Sequence, residues 1–210
     1  MKSVLKQINI EVSNFMRWAK NTNKKTGEWE TRYPDWGKIY SLIEESLDII
    51  EYNKLTELDK DNLLYLLSRD NELEEIARQL SEFPDLIIPL ANYGLNYHDY
   101  NARWQLANYI WKHADNYQEV EEILISYYKD NNEYVKRRAL LALGYMESEY
   151  AEQLALESWN TGLKHQKMVS LYILDEINSK RLNELLNKGE DDEFKIVRNT
   201  AKNIEKQRGF

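Results

Sequence analysis

Apolar residues recur along most of the chain at three- and four-residue intervals, the spacing of one face of an α-helix. Leu5, Ile8, Val12, Phe15, Met16 and Ala19 form one such stripe over residues 2–21. A polar loop from Asn21 to Gly27, followed by Pro34, interrupts it. Asp35 stands where it would cap a helix over 36–53, whose apolar positions are Ile39, Leu42, Ile43, Leu47, Ile49 and Ile50. Leu58, Leu63, Leu64, Leu66 and Leu67 mark a helix over 57–68. Asn71 and Glu74 have capping-box spacing and open a helix over 72–82, with Leu73, Ile76, Ala77 and Leu80 inward. Pro84 suits the first turn of a helix over 84–93, whereas Pro89 inside it calls for a kink or a break. Helices over 99–114, 117–129, 133–146, 149–160, 165–177, 179–187 and 192–207 complete the reading, the second of these after another capping-box spacing at Asn116 and Glu119. No alternating Val/Ile/Thr run of strand type occurs, so the expected class is all-α.

The most regular stretch is Glu133–Gly144. Val135, Ala139, Ala142 and Leu143 share a face, and small Ala residues there let a neighbouring helix approach closely. Aligning apolar anchors pairs Val135/Ala139/Ala142 with Val197/Ala201/Ile204, and more loosely with Val169/Ile173, Ala102/Leu106/Tyr109 and Leu73/Ala77/Leu80. First anchors are then 29, 33, 34 and 28 residues apart, enough for a helix, a turn and a helix per unit. The Val-x-x-x-Ala-x-x-Ala-Leu-Gly pattern resembles the second helix of a HEAT repeat, with Lys136 in place of the usual Arg. That resemblance implies a right-handed α-solenoid of about five HEAT-like helical pairs. It would form a single domain over 1–210, with 1–55 an atypical N-terminal cap and 56–210 the repeats.

The net charge of −8 is unevenly spread. Residues 1–38 carry 8 Lys/Arg against 4 Asp/Glu, and residues 39–100 carry 4 against 14. An acidic middle disfavours a nucleic-acid groove, which needs clustered cations, and favours a basic protein partner. The same carboxylates also read as the solvated faces of helices. There is no cysteine, hence no disulfide or thiolate metal site, and no run of about 18 apolar residues to cross a membrane. A cytoplasmic protein, monomeric when free and without a cofactor, is expected.

Three histidines, His98, His113 and His165, show no metal-site spacing, and no nucleophile elbow or Gly-rich phosphate loop is present. The candidate binding residues are therefore aromatic and cationic. Trp29 and Trp36 flank Pro34 in an unusual segment that either packs back on the fold or offers anchors to a partner. Trp104, Trp111, Asp115, Tyr134, Arg137 and Arg138 are expected on inner helices, with one of the arginines bridging neighbouring repeats.

Two functional readings follow from resemblance. A small, acidic, cysteine-free HEAT-like chain is similar to the immunity proteins that bacteria encode beside toxins, which implies a non-enzymatic scaffold that neutralises a basic toxin. The alternative rests on Trp111, Asp115 and Arg137-Arg138, which loosely resemble HEAT-like alkylpurine DNA glycosylases. There Asp115 would stabilise positive charge developing on the sugar, and Trp104, Trp111 or Trp159 would stack on a base.

Overall fold

The computed structural model describes residues 2–209, and among these the regular structure is all helical, with 12 α-helices and no strand. None of these helices is long and apolar enough to cross a membrane. The chain divides into two compact units, one ending at Ile110 and the other beginning at Trp111.

The first unit holds α1 (Lys2–Asn21), α2 (Trp36–Leu47), α3 (Glu57–Arg69), α4 (Glu75–Leu80), α5 (Pro84–Gly94) and α6 (Tyr100–Tyr109). Helix α1 packs on α2 and α3, α3 on α6, and α6 on α5 and α4. Phe15, fully buried, is the hub of an aromatic cluster. Trp18, Tyr33, Trp36 and Tyr65 have ring centroids 4.8–6.0 Å from it. Trp29 opens a 3-10 turn over Trp29–Arg32 and stacks on Trp18 at 5.6 Å. The Trp-rich segment thus packs back on the fold. Buried Glu30 secures it: its carbonyl accepts from Trp36 Nε1 at 2.8 Å, and its carboxylate lies 3.3 Å from Arg69. Arg69 also pairs with Asp99, whose other oxygen caps α6 through the Asn101 N–H.

Several expected helix ends shift. Helix α2 stops at Leu47, short of 53, and Asp35 makes no side-chain cap bond. The Asn71–Glu74 box does not form, because Glu74 takes a left-handed backbone (φ 54°) and α4 starts after it. Leu73, expected inward, is 63% exposed. Asp70 supplies the anchoring instead: its buried carboxylate accepts from Ile76 N at 2.8 Å and from Tyr40 Oη at 2.7 Å. The Asn116–Glu119 box is likewise absent. A reciprocal box does form at Thr56 and Asp59. Helix α5 runs through Pro89 as one element, held by buried Leu86, Ile87, Ile88, Leu90 and Ala91.

The second unit is more regular. Helices α7 (Glu119–Tyr128) and α8 (Glu133–Tyr145) pair, as do α9 (Ala151–Asn160) with α10 (Lys164–Glu176) and α11 (Leu182–Glu190) with α12 (Lys195–Arg208). Helix α10 packs against both α8 and α12. Equivalent positions recur every 31 residues. Val120, Ala151 and Leu182 are buried, and so are Leu124, Ala155 and Leu186. The same holds for Val135, Gln166 and Val197, for Ala139, Ser170 and Ala201, and for Ala142, Ile173 and Ile204. The backbone repeats as well. Glu147, Asn178 and Gly209 are all left-handed, and the N–H groups of Ser148 and Ser179 donate to Leu143 and Leu174 carbonyls, closing Schellman-type helix ends. The Ser148 and Ser179 hydroxyls donate to Glu121 and Glu152.

This register corrects the anchor alignment. The counterparts of Val135 and Ala139 are Gln166 and Ser170, three residues before the Val169 and Ile173 chosen for their apolarity. Both polar side chains are buried and each donates to a backbone carbonyl, Gln166 Nε2 to Glu133 O at 3.2 Å and Ser170 Oγ to Ala155 O at 2.5 Å, while Gln166 Oε1 has no partner among the described residues.

Two predictions follow from this packing. Burial raises the Asp70 pKa from 3.8 to about 6 against the opposing bonds from Ile76 N and Tyr40. The native state then holds a proton that the unfolded state has released, so this group's contribution to stability falls as pH rises from about 4 to 6, by on the order of 2–3 kcal/mol. Asp70→Asn should remove that part of the pH dependence. Urea unfolding of both proteins at pH 4.5 and 7 checks it, and an unchanged pH difference would refute the assignment. At Gly144 an added Cβ would lie 2.3 Å from Ile173 Cδ1. Gly144→Ala should therefore destabilise by roughly 1–2 kcal/mol despite better helix propensity. Ile173→Val, which removes that methyl, should restore part of the loss in the double variant, giving a non-additive cycle in thermal or urea melts.

Candidate functional site

The second unit carries a groove of about 540 Å³ between the outward faces of α8 and α10. Asn132 sets its start: the Asn132 side chain accepts from Tyr134 N at 2.9 Å and fixes the first turn of α8. From there Tyr134, Arg137, Arg138, Leu141 and Tyr145 follow one another along the groove wall at helical spacing. Helix α10 contributes Met168, Tyr172, Asp175 and Glu176 over a floor that includes buried Val169 and Ile173.

The polar groups segregate. At one end Arg138 donates to Tyr134 Oη through Nη2 at 2.6 Å and Nε at 3.1 Å. Arg137 lies 3.0 Å from Glu133 in its own helix without hydrogen-bond alignment. Both guanidiniums sit close to the Tyr134 ring, 4.8 and 5.0 Å from its centroid. Asp175, which pairs with Arg208, and Glu176 lie near the C-terminus of α10. Leu141, Met168 and the rings of Tyr145 and Tyr172 add apolar lining along the same groove. The two rings are 47% and 43% exposed, high for large side chains lining one surface.

Tyr134, Arg137 and Arg138, expected as binding residues, are thus brought together. Trp111 joins them indirectly, its ring 5.3 Å from that of Tyr145. The others are elsewhere. Trp104 and Trp36 are core residues, with Trp104 Nε1 donating to Asn101 at 3.2 Å. Trp29 is half-buried on Trp18. Asp115 is exposed in a turn and is not among the groove residues. It does not share a helical face with Trp111, because α6 ends at Tyr109 and a 3-10 turn over Ile110–His113 follows. The sequence reading missed Leu141, Tyr145, Met168 and Tyr172 as site residues. The signal was present in the 31-residue offset, which aligns Leu141 with Tyr172 and Arg137 with Met168.

Among the described residues no three His, Asp or Glu side chains gather as a metal-holding group. In sequence the chain matches no protein-family model and no curated protein.

Proposed function

We propose that this chain is a non-enzymatic scaffold that binds a protein partner, and that its second unit is a HEAT-like α-solenoid with α8, α10 and α12 as the inner layer. The observation that carries the reading is the α8/α10 groove. Tyr145, Tyr172, Leu141 and Met168 offer aromatic and apolar surface, and Tyr134 with Arg137 and Arg138 offers an aromatic–guanidinium corner. Tyr and Arg are the side chains that most often anchor protein interfaces. The acid excess in residues 39–100 supports a basic partner, drawn in by long-range attraction and held by short-range contacts. In its most specific form this is an immunity protein that neutralises a basic toxin. The base-excision alternative gains no support from Asp115, which lies outside the groove.

The test is affinity capture of proteins by the purified chain, followed by measurement of salt dependence. One stoichiometric basic partner is expected, its association rate falling as salt rises. Tyr172→Ala combined with Tyr145→Ala should weaken it by roughly ten- to a hundredfold, mostly through faster dissociation. Retention of DNA with no protein partner, or a partner indifferent to both tyrosines, would overturn the proposal.

A further inference from the structure

A second aromatic feature lies in the first unit, outside the groove. Tyr52, in the 3-10 turn Tyr52–Lys54, and Tyr93, near the end of α5, flank the ammonium of Lys60 from the first turn of α3. Lys60 Nζ is 4.3 Å from the Tyr52 ring centroid and 5.1 Å from that of Tyr93. Tyr93 Oη donates to Asp61 at 3.0 Å, and the carboxylates of Asp61 and Glu57 both bear on the Tyr93 phenol. All three of Tyr52, Lys60 and Tyr93 are half-buried, so the bracket opens at the surface.

Two rings about one ammonium, with carboxylates alongside, is the chemistry of an alkylammonium site. Here the chain's own lysine fills it. Its hold is weak: attraction at an exposed ring is comparable to the rotamer entropy a lysine loses when fixed. The bracket also lies within the segment that carries 14 Asp/Glu against 4 Lys/Arg, so an arriving cation gains from the surrounding field. We propose that the Tyr52–Tyr93 bracket receives a lysine side chain from a basic protein partner, with Lys60 holding the place in the free chain. The inference rests on the basic-partner reading above.

The bracket can be tested without that partner. The full chain is titrated with a heptalysine peptide and, separately, with tetramethylammonium chloride, while the ring resonances of Tyr52 and Tyr93 are followed by NMR against a sodium chloride control. Lys60→Met, which removes the competing ammonium from the bracket and leaves a movable uncharged side chain, should show saturable shifts at both rings with the peptide and bind it about two- to fivefold more tightly than the unaltered chain. Adding Tyr93→Leu should abolish the gain. Adding Tyr93→Phe, which keeps the ring and drops the Asp61 bond, should preserve it and serves as the folded control. No shift in Lys60→Met, or an equal response with Tyr93→Leu, would overturn the bracket. Shifts with tetramethylammonium but none with the peptide would overturn the assignment to a protein lysine. The two proposals fail separately: a basic partner indifferent to Tyr93→Leu removes this inference and leaves the scaffold. A bracket that binds heptalysine in a chain that captures no partner leaves the site and removes the scaffold.

Discussion

The second unit depends on how closely α8 and α10 approach. At Gly144 a methyl group would lie 2.3 Å from Ile173 Cδ1 and could enter only by displacing that buried side chain. Close approach of this kind gains dispersion contacts that larger side chains would have to recover by perfect interdigitation. It also decides what lies at the surface. With the small residues turned inward, the bulky members of both helices, Tyr134, Leu141, Tyr145, Met168 and Tyr172, face outward as the walls of the groove.

The first unit is held by different means. Its aromatic hub around Phe15 buries large area, and Arg69 makes a largely buried polar connection between Glu30 and Asp99. Burial raises the Glu30 pKa, with the Arg69 charge acting in the opposite sense. Removing the arginine would leave two acids facing each other with their desolvation uncompensated, so the triad serves more to fix geometry than to add net stability. The geometry concerned is substantial: the triad joins the Trp29 turn, the end of α3 and the start of α6.

Helix existence was largely legible, because apolar spacing reports the buried face directly. Helix ends were less so. A Thr or Asn followed by an acid three residues later reads the same at 56–59, 71–74 and 116–119, yet only the first pair closes a box. At 71–74 the Glu74 N–H that Asn71 would have to bind donates instead to the Asp70 carbonyl at 2.9 Å, and the Asp70 carboxylate takes the Ile76 N–H further on, contacts local spacing does not encode. The 31-residue register was hidden in its middle copy for a related reason: Gln166 and Ser170 are as buried as Val135 and Ala139, but their donors are taken by carbonyls 33 and 15 residues away in sequence. Of the site, Tyr134, Arg137 and Arg138 could be read from one helix alone, though Leu141 and Tyr145 on the same α8 wall were not. Those on α10 required knowing which helix lies beside it, and aromatic identity did not separate buried Trp36 and Trp104 from exposed Tyr145 and Tyr172.

The exactness of the 31-residue spacing has a consequence for how such a chain can lengthen. Residues 148–178 begin just after one left-handed helix stop and end on the next, and they contain one complete α9/α10 pair. A tandem duplication of that stretch would present Ala151, Ala155, Gln166, Ser170 and Ile173 to neighbours whose own buried positions fall in the same phase. An insertion inside α9 or α10, by contrast, would rotate the residues after it by about 100° for each one added and turn apolar positions to solvent. A gain or loss of one helical pair would therefore show in the gene as a step of 93 bases, three per residue over the 31-residue period.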